Sequence, residues 1–195
     1  MFSITPCAAG CGRVALTGST TCAIHAADPA KEAARITAYI RERETIKDLN
    51  AAELRFESVD FSRRHFYGCN FNNSRFSMCL FTESLIRMSF FDFGVFINCD
   101  FSKSDLQFLS FAGSSLRNCT FENSELVNVN YGGTFISDCT FNYSNLYNSR
   151  FINSTIELTD FIDCNVKKTF FIKSKQEGVS FKSSNTAEAV FEMEE

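Results

Sequence analysis

From Phe56 to Phe171 the chain places a large apolar residue at every fifth position without one insertion. The series runs Phe56, Phe61, Phe66, Phe71, Phe76, Phe81, Ile86, Phe91 and onward through Leu106, Leu126, Tyr131 and Val166 to Phe171. Two positions earlier sits a small residue, among them Cys69, Ser74, Cys79, Ser84, Gly94, Cys99, Ser104, Cys119, Ser144 and Cys164. A period of five matches neither the 3.6 of a helix nor the 2.0 of an alternating strand. It is an internal repeat, and it takes precedence over any local reading of helix or strand.

The units Cys99-Asp100-Phe101-Ser102-Lys103, Ser104-Asp105-Leu106, Cys119-Thr120-Phe121-Glu122-Asn123 and Ser144-Asn145-Leu146 resemble the pentapeptide-repeat family. Continued in phase to Phe191, the register spans about 28 units. The resemblance implies an all-β solenoid: a right-handed quadrilateral β-helix, four units per coil, with the central and the small residue facing inward. Coils too thin to bury anything alone would stack and pair backbone with their neighbours. Seven coils at roughly 4.8 Å each make a rod about 34 Å tall.

A twenty-residue coil can be tested within the sequence, because positions twenty apart must then stack. Phe61, Phe81, Phe101, Phe121, Phe141, Phe161 and Phe181 form one unbroken column, and Phe71, Phe91, Phe111, Tyr131, Phe151, Phe171 and Phe191 form another across the square. The remaining two columns become aliphatic after their first members. Two opposed aromatic walls support the four-sided coil independently.

The flanks follow different rules. Cys7, Cys11, Cys22 and His25 give C-x3-C-x10-C-x2-H within residues 1–27, a donor set suited to a structural, tetrahedral zinc with no open position. The segment resembles the small Cys3His knuckles at the head of many bacterial proteins; the competing reading is three unligated thiols in a floppy arm. Asp28-Pro29 opens a helix. The stripe Ala33, Ile36, Tyr39, Ile40, Ile46, Leu49 extends it to residue 50, as a cap on the open end of the first coil. Residues 51–195 are then the solenoid. At its far end Asn185-Thr186-Ala187-Glu188 has capping-box character, predicting a short helix from residue 186 to about 194.

The position preceding each central residue should face water, and it usually carries Asp, Asn, Thr or Ser. One coil departs on all four sides, with Leu80, Leu85, Phe90 and Val95; Phe93, Ile97 and Met88 lie nearby on other outward positions, and Phe108 and Phe135 follow in later coils. Exposed apolar patches of this kind mark contacts. The belt therefore predicts a protein partner, foreign or a second copy, unless the N-terminal arm folds back over it.

Composition narrows the function classes. The net charge of −4 argues against nucleic acid as a partner. No apolar run is long enough to cross a membrane, and Met1–Pro6 lacks the charged and apolar regions of a signal peptide. Six of the nine cysteines fall on the small inward position and three in the arm, a distribution that suits free thiols and zinc ligands in a reducing cytoplasm. No nucleophile, base and orienting group occur together, so an enzyme is not expected. The resemblance also implies an alternative function: mimicry of a DNA duplex to bind a type II topoisomerase, as in quinolone-resistance proteins. That role needs a dense acidic surface, whereas residues 56–195 hold 17 acidic against 12 basic side chains.

Overall fold

The computed structural model describes residues 5–192. Its body is a parallel β-solenoid in which each coil consumes twenty residues. On one side β1 (Thr45–Lys47), β3 (His65–Tyr67), β5 (Leu85–Arg87) and β7 (Asp105–Gln107) make a four-stranded sheet. A second side carries seven strands: β2 (Arg55–Glu57), β4 (Arg75–Ser77), β6 (Val95–Ile97), β8 (Ser115–Arg117), β9 (Phe135–Ser137), β10 (Thr155–Glu157) and β11 (Lys175–Glu177). Every strand pair is parallel and offset by twenty, as in Phe76↔Phe96. The other two sides are turns linked by single bridges such as Leu80↔Asp100 and Phe90↔Ser110.

The central residues fill the interior. Rings stack along the walls, at 4.8 Å from Phe101 to Phe121 and 4.7 Å from Phe121 to Phe141. Across the core the two aromatic walls meet edge to face, as Phe111 does Phe121 at 86°. The small inward residues act as staples between coils. Ser104 Oγ donates to the carbonyl of Phe81 at 2.6 Å and accepts from the N–H of Ser84 at 3.1 Å. A larger residue there would displace the ring beside it.

The corners carry a feature that the apolar spacing does not reveal. Every position ending in 3 or 8 from Asp48 to Ser183 has positive φ. Asn and Gly, which adopt this left-handed conformation at least cost, recur there: Asn73, Asn98, Asn118, Asn123, Asn128, Asn148, Asn153, Gly68, Gly113, Gly133 and Gly178. That enrichment is the signal by which the corners could have been found.

Two sequence-derived boundaries are corrected. Helix α1 covers Pro29–Arg41, capped by Asp28 Oδ1 accepting from the Lys31 N–H at 3.0 Å; it does not continue to residue 50. Ile46 and Leu49 satisfy both a helical stripe and the five-residue register, and the register prevails because Ile46 pairs with Phe66 in the coil below. The solenoid thus begins two units before Phe56. At the other end a single 3-10 turn, Thr186–Glu188, replaces the expected helix. Phe171 N–H bonds the carbonyl of Val190 at 2.7 Å, and Phe191 stacks on Phe171 at 5.1 Å. Pairing with an existing coil outweighs a lone terminal helical turn. The final residues of the expected helix, 193 and 194, lie outside the described residues.

Candidate functional sites

The N-terminal arm builds a compact donor cluster. A turn closed by Gly10 N–H to the Cys7 carbonyl carries Cys7 and Cys11. The 3-10 turn Ala23–His25 brings His25 back beside Cys22. The four donor atoms lie within 4.8 Å of one another. Cys11 Sγ and Cys22 Sγ are 3.8 Å apart, while His25 Nδ1 is 3.7 Å from Cys7 Sγ and 3.5 Å from Cys22 Sγ. Tetrahedral zinc with ordinary bond lengths puts S···S at about 3.8 Å and S···N at about 3.6 Å. The residues therefore fit this metal, and with four ligands the coordination sphere would be closed. The main-chain N–H groups of Cys22 and Ala9 pull the Cys7 thiol down to about 6, and that of Arg13 lowers Cys11. Both shifts favour the thiolates a cation needs, whereas burial raises Cys22.

The arm is fastened to the end of the solenoid. Thr17 N–H bonds the Asn50 carbonyl at 3.0 Å, and Thr17 Oγ1 accepts from the Asn50 N–H at 2.8 Å. Asn50 Nδ2 donates to the Ala15 carbonyl at 2.8 Å, and Arg13 pairs with Glu53 at 2.9 Å. Arg35 from α1 donates to the Thr17 carbonyl at 2.6 Å. Leu16 and Ala23 are buried in the same core cluster as the first coil. These attachments lie at the coil containing Asn50, two coils from Phe90.

The apolar belt is uneven. Leu80 and Phe90 are 43% and 42% exposed, whereas Leu85 and Val95 are half-buried. The largest exposures are at corners: Phe93 64%, Met88 57% and Phe108 56%. Phe90 and Phe93 flank Phe91 on the outer side of the wall Phe71–Phe91–Phe111, and Met88 and Phe108 occupy its adjoining corner, one coil apart. The Phe93 ring lies over Gly113, where an added Cβ would come within 2.6 Å of it. Three of these four residues, Met88, Phe93 and Phe108, have positive φ.

Acidic residues are partly engaged. Asp105 is gripped by both terminal nitrogens of Arg87, and Glu125 accepts from Asn145 Nδ2 at 2.7 Å. Among the described residues no helix is long and apolar enough to cross a membrane.

Comparison with known proteins identifies the body. A model of pentapeptide repeats in eight copies matches residues 95–130, and a pentapeptide repeat region model matches residues 114–191. No curated protein sequence matches the chain. Among solved structures, the pentapeptide repeat protein Rfr23 from the cyanobacterium Cyanothece 51142 is 18% identical with a TM-score of 0.45, covering 47% of this chain, which spans 63% of that one. HetL, a pentapeptide repeat protein involved in heterocyst differentiation regulation from the cyanobacterium Nostoc sp. strain PCC 7120, is 11% identical with a TM-score of 0.35, over 83% of this chain and 96% of that one. A trypsin-treated form of QnrB1, a plasmid-mediated fluoroquinolone resistance protein, is 14% identical with a TM-score of 0.36, over 72% and 90%. With both family models matched over residues 95–191, and the five-residue register in phase with them back to Phe56, the chain belongs to the pentapeptide-repeat family.

Proposed function

We propose that this protein is a non-catalytic interaction scaffold, a rigid rod whose head is pinned by a structural zinc on Cys7, Cys11, Cys22 and His25. Its partner surface is the side bearing Phe90 and Phe93, extended by Met88 and Phe108 and bordered by Leu80, Leu85 and Val95. The observation that carries this reading is the chemistry of the corners. A bulky side chain in the left-handed conformation costs on the order of 1–2 kcal/mol relative to glycine. Exposing it to water recovers none of that through burial. Met78, Tyr143 and Leu158 share this chemistry singly elsewhere, but Met88, Phe93 and Phe108 gather around Phe90, and a partner that covers them accounts for that cluster. The partner is a protein, foreign or a second copy of this chain.

Binding to a type II topoisomerase by duplex mimicry is the competing reading. It draws on the family resemblance, and the modest acidic excess with Asp105 held by Arg87 weighs against it. Sedimentation and pull-down of wild type, Phe90→Asp, and a triple variant neutralising Asp100, Asp105 and Glu125, with and without topoisomerase, separate the two. The scaffold reading expects Phe90→Asp to fold normally and lose its association. It fails if the triple variant alone loses binding, or if Phe90→Asp unfolds the rod.

A further inference from the structure

Helix α1 closes the core of the first coil but not its hydrogen bonding. In the seven-stranded sheet β2 is the first strand. Twenty residues before Phe56, where a preceding strand would place its inward residue, stands Ile36, fully buried in α1 and part of the same core cluster. The helix thus supplies the apolar side chain of a missing coil without its backbone. β2 bonds β4 through Leu54 C=O, which accepts from Arg75 N–H at 2.9 Å, and Ser58 N–H, which donates to Ser77 C=O at 2.9 Å. In such a parallel ladder alternate residues turn to opposite sides. The N–H and C=O groups of Arg55 and Glu57 therefore face away from β4, and among the described residues none has a hydrogen-bond partner. On the neighbouring side of the coil Thr17 fills the equivalent role for Asn50, so the arm closes that edge and leaves this one.

A groove of about 1060 Å³ runs along the open edge, bounded by Ala34, Thr37 and Ala38 of α1, by Ile24 of the arm, and by Val59. Ala34 and Ala38 are exposed, and Ile24 is 60% exposed. The volume stands at the upper limit of small-molecule sites. A second solenoid end cannot enter, because α1, about 10 Å across, rises above an edge that requires its partner strand at about 4.8 Å. A single extended chain meets both demands.

We propose that this groove binds an extended peptide segment of another protein, which adds to β2 as a further parallel strand. Its backbone would satisfy Arg55 and Glu57, and alternate small or β-branched side chains would pack on the Ala34–Ala38 stripe. The lining is mixed in charge, with Asp28, Glu42, Glu53 and Glu57 against Arg41 and Arg55, so a basic side chain opposite Glu57 is the favoured cross-strand pair. This site is separate from the Phe90 surface, and either can stand without the other.

The test uses the full-length protein and a displayed library of random peptides of about twelve residues, a length that suits strand addition. Enriched peptides are measured by fluorescence anisotropy against wild type, Ala34→Glu and Glu57→Pro. Ala34→Glu fills the groove from an exposed helical position. Glu57→Pro removes an edge donor while leaving the bonds to β4, as proline on a free edge permits. The expected result is a set of mutually competing peptides that share a basic residue, weakened about tenfold or more by each variant. Hydrogen exchange at the Arg55 and Glu57 amides should slow when peptide is bound. No enrichment, peptides that bind both variants as tightly as wild type, or unprotected amides would overturn the proposal. Self-association lost on Ala34→Glu would overturn it too, by making the occupant a second copy.

Discussion

Tyr131 is the one residue of the aromatic walls whose chemistry does not suit its place. Its ring stacks 5.4 Å from Phe111 and 4.6 Å from Phe151, but among the described residues its buried hydroxyl has no hydrogen-bond partner. An unsatisfied buried hydroxyl costs on the order of 1–3 kcal/mol. Tyr131→Phe should therefore raise stability in urea unfolding by about that much, and a loss would show that the hydroxyl has a partner. The cysteines divide by environment in the same way. Burial pushes Cys69 and Cys164 up to about 11. Neighbouring thiols of the column, then burial, hold Cys99 and Cys119 at about 12. All four stay protonated at pH 8, and Cys79 is raised further. The Cys119 thiol lowers Cys139, which is nonetheless buried. Titration with a thiol-reactive disulfide at that pH should find Cys7 and Cys11 first in metal-free protein, then Cys22, which burial raises, and the six solenoid thiols only after unfolding. Rapid native modification of a solenoid thiol would contradict the packed core.

At the scale of elements, the arm and α1 together close one end of the solenoid. The arm contributes few apolar groups, chiefly Ala15, Leu16 and Ala23, so the proposed zinc would add substantially to the hydrogen bonds that order it. Purified without chelator, the protein should carry about one zinc per chain, and Cys22→Ser should lose it. Metal loss should then speed amide exchange at Asn50, whose N–H rests on Thr17 Oγ1. Protein lacking zinc, or an Asn50 amide indifferent to chelation, would show that the donor cluster is not a metal site or does not brace the coil.

Across the whole molecule each coil contacts only its neighbours, yet two columns of stacked rings run without a gap, from Phe61 to Phe181 and from Phe71 to Phe191. Phe121 sits fully buried in mid-rod, 4.8 Å from Phe101 and 4.7 Å from Phe141. Phe121→Ala opens a cavity that the stapled coils on either side cannot collapse, so a loss of about 3–5 kcal/mol is expected. A loss under about 1 kcal/mol in equilibrium unfolding would mean that the columns are not a packed core.

The fold was legible because its cause is local and repeated. One apolar and one small residue per five, in phase over many coils, leaves a single way to bury the large side chains, and the twenty-residue columns show in sequence which rings must stack. The gathering of Cys7, Cys11, Cys22 and His25 was legible for a related reason, since spacing within a short segment limits where thiols can meet. What the tertiary structure decided were choices between readings that the sequence satisfies equally. Ile46 and Leu49 fit a helix and a coil, and only the presence of Phe66 below them selects the coil. The helical signal after Asn185 gave way to the coil beneath Val190 and Phe191. The belt read as four equal positions, but packing half-buries Leu85 and Val95 and shifts exposure to corners whose left-handed backbone apolar spacing does not encode. Nor could any pattern reveal the open edge of β2, because a backbone group is left without a partner only by what does not stand beside it in space.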